Sequence, residues 1–204
     1  KPEEDFTTRV LDKHTERIAC QTCHIKFYST KNKTKVWWDW SKAGEKNAEG
    51  KPKVVKDSEG STIYDGKKGE FRLVKNGVPE YFWFNGTVDH ILVGDKIDPD
   101  KTPIQINRIA GECGGPDSKI WPFKVMRGKQ LYDPVNKTLI IPKLFGPKGS
   151  GAYWGDWDWG VAAEKGMQAA GVPYSGKYEW IETEMHWPLT HMVVSKENAL
   201  SCDD

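Results

Sequence analysis

The stretch Cys20-Gln21-Thr22-Cys23-His24 decides how this chain is expected to fold, because it matches the attachment motif of c-type haem. In this motif two thiols, three residues apart, form thioether bonds to one edge of the porphyrin, and the following histidine supplies an axial nitrogen to the iron. The chain has only four Cys and five His among 204 residues, so the pattern is specific. It predicts covalent haem c held by Cys20 and Cys23, with His24 as an iron ligand.

Three other uses of the cysteine pair stay open at this point. A thioredoxin-like dithiol would need a βαβ context, which the flanking sequence lacks. A zinc site could combine the pair with Cys113 and Cys202, although the second Cys-x-x-Cys of a zinc ribbon is missing. A structural disulfide would close a very short loop and add little stability. If the pair is not used for zinc, Cys113 has no partner implied by its spacing and is predicted to be a free thiol.

A haem iron also needs a second axial ligand or an open coordination site. Residue type supplies five candidates, which are His14, His90, His186, His191 and Met126. His14 precedes His24 by about three helical turns, so it could reach the far side of the same haem or serve another one. A histidine in an apolar setting is more often a core residue than a ligand, so residue type alone does not choose among the candidates.

Length and charge exclude several classes of protein. A chain of 204 residues fits one domain or two small ones. Thirty Lys and Arg against 29 Asp and Glu leave a net charge of +1, so no basic field favours nucleic acid. The mean hydropathy is −0.68, and no run approaches the roughly 18 apolar residues of a membrane span. We therefore expect a soluble globular segment without nucleic-acid or membrane-spanning character.

The pattern of breakers and apolar residues predicts an α+β, loop-rich fold with a few short helices. A short helix is expected over residues 10–18, just before the motif, and a long charged surface loop over residues 42–68. Residues 158–170 read as a helix that Asp158 caps and Gly171 ends. Three Trp residues that precede or open this helix, Trp154, Trp157 and Trp159, either cover a flat ligand or fill a core.

A first β-hairpin is predicted around an Asn-Gly turn. Residues 71–75 and 78–84 form its two strands, and Asn76-Gly77 provides the positive φ angles of a tight type I′ turn. Pro79 cannot donate a ladder hydrogen bond, so its strand is expected at a sheet edge.

A second β-hairpin is predicted further along the chain. Residues 123–126 and 129–132 are expected to pair with residues 138–141 across a turn at 133–136. Gly128, inside the first arm, indicates a bulge or a sharp bend.

Three regions follow from this organisation. Residues 1–41 are predicted to form a haem-attachment segment, residues 42–145 a loop and hairpin region, and residues 146–204 a Trp-rich loop, a helix and the start of a second, truncated haem motif. If Cys-His followed Asp204, Cys202 would open a second haem motif. The alternative is a lone cysteine before an acidic tail.

In four further segments the chain resembles the octahaem c-type cytochromes of the tetrathionate reductase family. After Cys20–His24, the resemblance is carried by residues 35–41 (KVWWDWS), 122–130 (PFKVMRGKQ), 132–136 (YDPVN) and 182–192 (ETEMHWPLTHM). In that family the last segment precedes another Cys-x-x-Cys-His, which would make Cys202 part of a second motif. The resemblance identifies His191 as a distal haem ligand, so His24 and His191 are the expected iron ligands.

The resemblance implies a middle segment of a larger multihaem protein of the periplasm or cell envelope. Such proteins wrap a loop-rich fold around closely packed haems and reduce small sulfur or nitrogen oxyanions, with electrons from redox partner proteins or quinol-linked donors. A haem with a lysine ligand also occurs in the family, but no motif here identifies that lysine. A non-catalytic multihaem carrier is the first alternative, and a secreted disulfide or zinc module without haem is the second.

Overall fold

A computed structural model describes residues 6–201. It contains four α-helices, α1 (Phe6–Arg17), α2 (Cys20–His24), α3 (Tyr153–Asp156) and α4 (Trp159–Ala170). The strands are β1 (Thr34–Asp39), β2 (Val54–Lys56), β3 (Thr62–Asp65), β4 (Gly69–Val74), β5 (Glu80–Phe84), β6 (Val88–His90), β7 (Ile104–Gln105), β8 (Asn107–Ile109), β9 (Lys119–Asp133), β10 (Thr138–Leu139) and β11 (Glu179–Pro188). Short helices, a mixed sheet and long connections confirm the predicted α+β, loop-rich fold.

One nine-stranded sheet organises the fold around its longest strand, β9. The strand order is β2-β3-β4-β1-β9-β11-β7, with β5 and β10 also paired to β9, and β6 and β8 form a separate two-stranded sheet. β9 runs antiparallel to β11 over ten residue pairs, antiparallel to β5 and parallel to β1. Strands from all three regions of the sequence therefore meet in one sheet. No helix in the described part of the chain is long and apolar enough to cross a membrane.

β9 passes through Gly128 without a bulge, so that prediction is wrong. Gly128 pairs with Trp38 of β1 on one side and Thr183 of β11 on the other, and the register is continuous around it. A Cβ atom at Gly128 would lie 2.8 Å from the Trp38 carbonyl oxygen. Glycine is needed here because the two backbones approach closely, which is the other common reason for glycine inside a strand.

The predicted hairpin around Asn76-Gly77 is also wrong. β4 pairs with β1 and β3, whereas β5 pairs with β9. Asn76 does adopt a positive φ of 53°, but the backbone N–H groups of Asn76 and Gly77 donate to the carbonyls of Ser29 and Tyr28. β5 thus pairs with a distant strand, and β4 pairs with the distant β1 and with its neighbour β3. β5 pairs with one strand only within residues 6–201, as the edge position inferred from Pro79 requires.

Residues 42–68, predicted as a surface loop, contain two strands. β2 and β3 form an antiparallel hairpin that joins the main sheet through β4. Asp57 holds the turn between them, since its carboxylate accepts from the Ser61 backbone and from Lys33 Nζ at 2.6 Å. All three residues of β2 are exposed, so the sequence of this strand shows no alternation of apolar and polar residues from which it could be predicted.

The second hairpin is confirmed only at its turn. Thr138 and Leu139 pair with Asp133 and Tyr132, as predicted. Residues 123–126 instead pair with β11, and Phe123 also pairs with β5, because β9 is long enough to pair with several strands along its length.

Asp133 anchors this turn from inside the protein. It is fully buried and accepts hydrogen bonds from Val135, Asn136 and Ser175, the last of which follows α4. Burial acts to raise the pKa of Asp133, but the hydrogen bonds from Asn136 and Ser175 outweigh it and lower the pKa to about 2. The carboxylate therefore joins β9 to the chain that leaves α4.

The helices agree better with the sequence. α1 ends at Arg17, close to the predicted end, although it begins four residues earlier, at Phe6. α4 is capped by the Asp158 carboxylate, which accepts from Val161 N at 3.0 Å, and it ends at Gly171 with φ of 69°. These ends were predictable because caps depend on residues only a few positions apart.

The three tryptophans near α4 are partly buried and contact neighbouring aromatic rings or backbone. Trp159 stacks on Tyr153 with ring centroids 3.6 Å apart and meets Trp180 edge-on at 5.4 Å. Trp154 Nε1 donates to the Lys67 carbonyl at 2.8 Å. Trp157 contacts Tyr153 at 5.8 Å. Trp159 packs against the buried cluster of Leu131, Ile140, Ala163 and Met167, so the structure supports the core-filling role for this residue.

Candidate functional site

The motif forms helix α2, which docks at the start of β9. Ala19 N donates to the Ile120 carbonyl at 3.0 Å, and Thr22 Oγ1 donates to the same oxygen at 2.7 Å. Ile25, directly after the helix, is fully buried and packs with Tyr28 and Leu189. The single helical turn is therefore held to the sheet by contacts on both its ends.

The segment after β11 runs along α2 and holds its backbone. Val194 N donates to the His24 carbonyl, and Leu200 N donates to the Cys23 carbonyl, both at 2.9 Å. His24 Nδ1 lies 2.9 Å from the Val194 carbonyl oxygen. A carbonyl only accepts, so Nδ1 carries a proton, and in the neutral imidazole Nε2 keeps its lone pair.

This hydrogen bond fits a metal-ligating histidine. In known metal sites, the ring nitrogen that does not bind the metal usually donates to a carbonyl or a carboxylate, which sets the tautomer and orients the ring. His24 has this arrangement, with Nε2 on the ring edge away from Val194. The residues present therefore fit haem iron bound at Nε2.

The two thiols fit the same cofactor. Cys20 and Cys23 are three residues apart on one helical turn, which places them on one side of α2. Cys20 is exposed and Cys23 is partly exposed, so a porphyrin edge can reach both.

A cavity of about 850 Å³ opens beside α2, between the loop that follows it and residues 192–201. This volume lies within the roughly 300–1,000 Å³ of small-molecule sites. Its walls combine apolar side chains with polar and charged ones, and its lining includes Lys26, Phe27, Lys31, Met192, Val193 and Glu197. Val194, whose carbonyl oxygen faces His24 Nδ1, is part of this lining.

His191 lies on the segment that packs beside α2, and His14 lies on α1, the helix that precedes α2 in the chain. His191 is exposed and lies between Leu189 and Met192, which both pack into the cluster around Ile25. His14 is exposed on α1. Cys202 lies outside the described residues.

The other candidate ligands are not gathered at the motif. His186 is 3% exposed and packs edge-on against Phe82 with ring centroids 5.0 Å apart. Its Nε2 lies 3.8 Å from Glu184 Oε1, so His186 is a core residue. His90 is exposed on β6, and Met126 lies in the middle of β9.

The zinc alternative finds no support among the residues described. Cys113 is exposed in a turn and is not in a disulfide. No group of three or more His, Cys, Asp or Glu within residues 6–201 is arranged to hold a metal ion.

Sequence reasoning missed two residues on the face of the sheet near the motif. Tyr81 pairs with Pro122, and burial and then the Cys23 thiol raise its pKa. Lys124, two residues after Pro122 on the same face, donates from Nζ to Thr34 Oγ1 at 2.6 Å, and burial lowers its pKa. Only the alternation of side chains along β9 and β5 could have shown this face, and it required the correct strand partners.

Two comparisons with known proteins found matches. A family model described as bacterial cytochrome c matches residues 35–204. The solved structure of octaheme cytochrome c from Shewanella oneidensis is 40% identical and matches 97% of this chain with a TM-score of 0.87. The match covers 45% of that protein, so this chain spans less than half its length. No curated protein matches the chain.

Proposed function

We propose, from the premise that this chain belongs to the bacterial cytochrome c family, that it is an electron-transfer segment of a periplasmic multihaem reductase acting on small sulfur or nitrogen oxyanions. The chain binds haem c covalently, as membership of this family implies. The observation that carries the proposal is the Cys-x-x-Cys-His helix whose His24 Nδ1 is held by the Val194 carbonyl at 2.9 Å. A likeness to an octaheme protein over 97% of the chain supports a multihaem parent.

Each motif residue has a defined role in this proposal. Cys20 and Cys23 form the two thioethers, and His24 Nε2 ligates the iron. Haem c supplies one-electron transfer by cycling its iron between two oxidation states. The Val194 carbonyl fixes the tautomer and orientation of the His24 ring and makes the ring a stronger electron donor. The backbone bonds to Ile120 and Leu200 hold α2 in place on the sheet.

His191 is proposed as an axial ligand to another haem of the parent protein. It lies on the segment that faces His24 Nδ1, away from the nitrogen that would bind iron, so it is poorly placed for the haem of His24 itself. Its side chain is exposed and close to the 850 Å³ cavity lined by Met192 and Val193.

The change His191→Ala in the full-length protein is expected to convert one low-spin haem to a high-spin form, because the iron loses its sixth ligand. Absorption and electron paramagnetic resonance spectra of the purified protein measure this. His90→Ala, another exposed histidine, is the matched control and should leave the spectra unchanged. An unchanged spectrum for His191→Ala would contradict the assignment and favour His14.

The reductase proposal is tested by turnover of the full-length protein. Reduced methyl viologen should be oxidised over many turnovers after the addition of at least one of nitrite, hydroxylamine and tetrathionate. A multihaem carrier would accept electrons and pass them to a redox partner protein, but it would show no sustained consumption with any of the three. That result would favour the carrier and reject the reductase.

A further inference from the structure

The chain contains two Asn-Gly pairs, Asn76-Gly77 and Asn85-Gly86, and the structure gives them different surroundings. An asparagine that precedes glycine can modify itself, because without a Cβ atom the glycine nitrogen reaches the side-chain amide carbon unhindered. The reaction needs a glycine N–H that is not engaged elsewhere and a backbone that can bend toward the side chain. The two pairs can therefore be compared within one molecule.

Asn76-Gly77 is clamped by its neighbours. Gly77 N donates to the Tyr28 carbonyl at 3.0 Å, and the Gly77 carbonyl accepts from Tyr28 N at 2.9 Å. Asn76 N donates to the Ser29 carbonyl at 3.2 Å. Gly77 is also buried, and a Cβ atom there would lie 2.4 Å from Cζ of the Tyr28 ring. The nitrogen that would attack is thus engaged, and a ring packs directly on this glycine.

Asn85-Gly86 lies in the short connection between β5 and β6. Both residues are exposed, and a Cβ atom at Gly86 would meet nothing within 4 Å beyond its chain neighbours. The Gly86 N–H donates to no group within residues 6–201. Thr87 N donates to Asn85 Oδ1 at 2.9 Å, which makes an Asx turn that encloses Gly86. The attacking nitrogen is therefore free, and the side chain that it would attack is folded back along the chain.

We infer that Asn85 is a site of spontaneous modification to aspartate and isoaspartate, and that Asn76 is protected from the same reaction. Gly86 N bonds to Asn85 Cγ and loses its proton, the bond from Cγ to Nδ2 breaks, and ammonia leaves with that proton. A succinimide ring remains. Water opens the ring at either of its two carbonyls, which gives aspartate or isoaspartate. The whole reaction consumes one water and releases one ammonia, and no oxidant or reductant takes part.

The hydrogen bond from Thr87 assists the attack. Negative charge develops on Asn85 Oδ1 as the new bond forms, and a donor already aimed at that oxygen stabilises the transition state. The product adds a negative charge to the connection, and isoaspartate also adds one methylene to its backbone. The site requires no haem, so this inference is independent of the proposed function.

The first experiment ages the full-length, haem-loaded protein in mildly alkaline buffer and follows both asparagines by peptide mass spectrometry. Breaking one hydrogen bond lowers the reactive population roughly two- to tenfold. Three such bonds hold Asn76 and Gly77, so Asn85 should react at least about tenfold faster than Asn76. The same protein unfolded in urea is the control, in which the two rates should be similar.

Two results of this experiment would overturn the inference. The first is a rate at Asn85 in the folded protein that is no higher than the rate at Asn76. The second is aspartate without isoaspartate at position 85, because direct hydrolysis of the side-chain amide gives aspartate alone, whereas a succinimide opens to both products.

The second experiment removes the donor to Asn85 Oδ1. Thr87→Pro has no backbone N–H at this position, whereas Thr87→Ala keeps it and is the matched control. Modification of Asn85 should slow about tenfold or more in Thr87→Pro, since a hydrogen bond to a charged oxygen is worth about that factor. Thr87→Ala should keep the wild-type rate. A wild-type rate in Thr87→Pro overturns the role of Thr87, provided that Asn76 stays protected. If Asn76 is no longer protected, the fold has opened, and the two rates in the wild-type protein decide.

Discussion

Replacing Cys20 and Cys23 together by Ala is expected to remove haem completely from this motif. No other thiol on α2 can form a thioether, and the histidine ligand alone would leave the haem exchangeable. The measurement is mass spectrometry of the denatured full-length protein, in which the peptide spanning residues 20–24 should lose the mass of one haem. A pyridine haemochrome assay should show the loss of one haem equivalent from the whole protein.

Single replacements sharpen this test. Cys20→Ala or Cys23→Ala should retain one thioether and leave one vinyl group free, which shifts the haemochrome absorption band. Cys113→Ala is the control, because Cys113 is exposed outside the motif and should retain all of the haem. Full haem content on the peptide in the double variant would contradict the assignment. Wild-type protein without any haem on this peptide would revive the disulfide and zinc alternatives.

The motif could be predicted from sequence because its information is local. Cys20, Cys23 and His24 lie within five residues, and their spacing alone implies the cofactor. Membership of the cytochrome c family confirms covalent haem c. The likeness to an octaheme cytochrome c agrees with the predicted octahaem resemblance, while its tetrathionate reductase part stays a prediction.

The errors come from strand pairing, which is not local. The Asn76-Gly77 turn favours a hairpin, yet β4 pairs with β1, more than thirty residues earlier, and β5 pairs with β9, about forty residues later. Turn chemistry describes which conformation a short segment tolerates, whereas the choice of partner depends on the packing of the whole sheet. Gly128 illustrates the same limit, since its role is set by the Trp38 carbonyl.

The surroundings of the motif were missed for the same reason. The hydrogen bond between His24 and Val194 joins residues 170 positions apart in the chain. A cofactor motif can therefore be found from sequence, whereas the backbone groups that orient its histidine follow from the assembled fold.

The backbone that follows β10 crosses helix α4 in close contact. Lys143 N donates to the Ala162 carbonyl at 2.8 Å, so the chain after β10 runs directly across the helix. At the next turn of α4, Gly166 is buried against the same segment. A Cβ atom at Gly166 would lie 1.8 Å from the Ile141 carbonyl oxygen and 2.7 Å from Lys143 N. Backbone atoms cannot move aside as the end of a flexible side chain can.

Gly166→Ala is therefore expected to destabilise the protein strongly, although Ala favours a helix by about 1 kcal/mol over Gly. Overpacking costs about 1–3 kcal/mol, and occasionally more. Because the added Cβ atom would clash with backbone atoms, we expect the cost of Gly166→Ala to lie at the upper end of this range. At about 2–4 °C per kcal/mol for a domain of this size, the thermal midpoint of the full-length protein, followed by circular dichroism, should fall by several degrees.

Gly160→Ala is the matched control in the same helix, since its Cβ would meet only side-chain atoms, at 3.3 Å from Asp158 Oδ1 and 3.7 Å from Tyr178. Equal midpoints for the two variants would mean that residues 141–143 can move off α4, and that this contact does not hold the helix on the sheet.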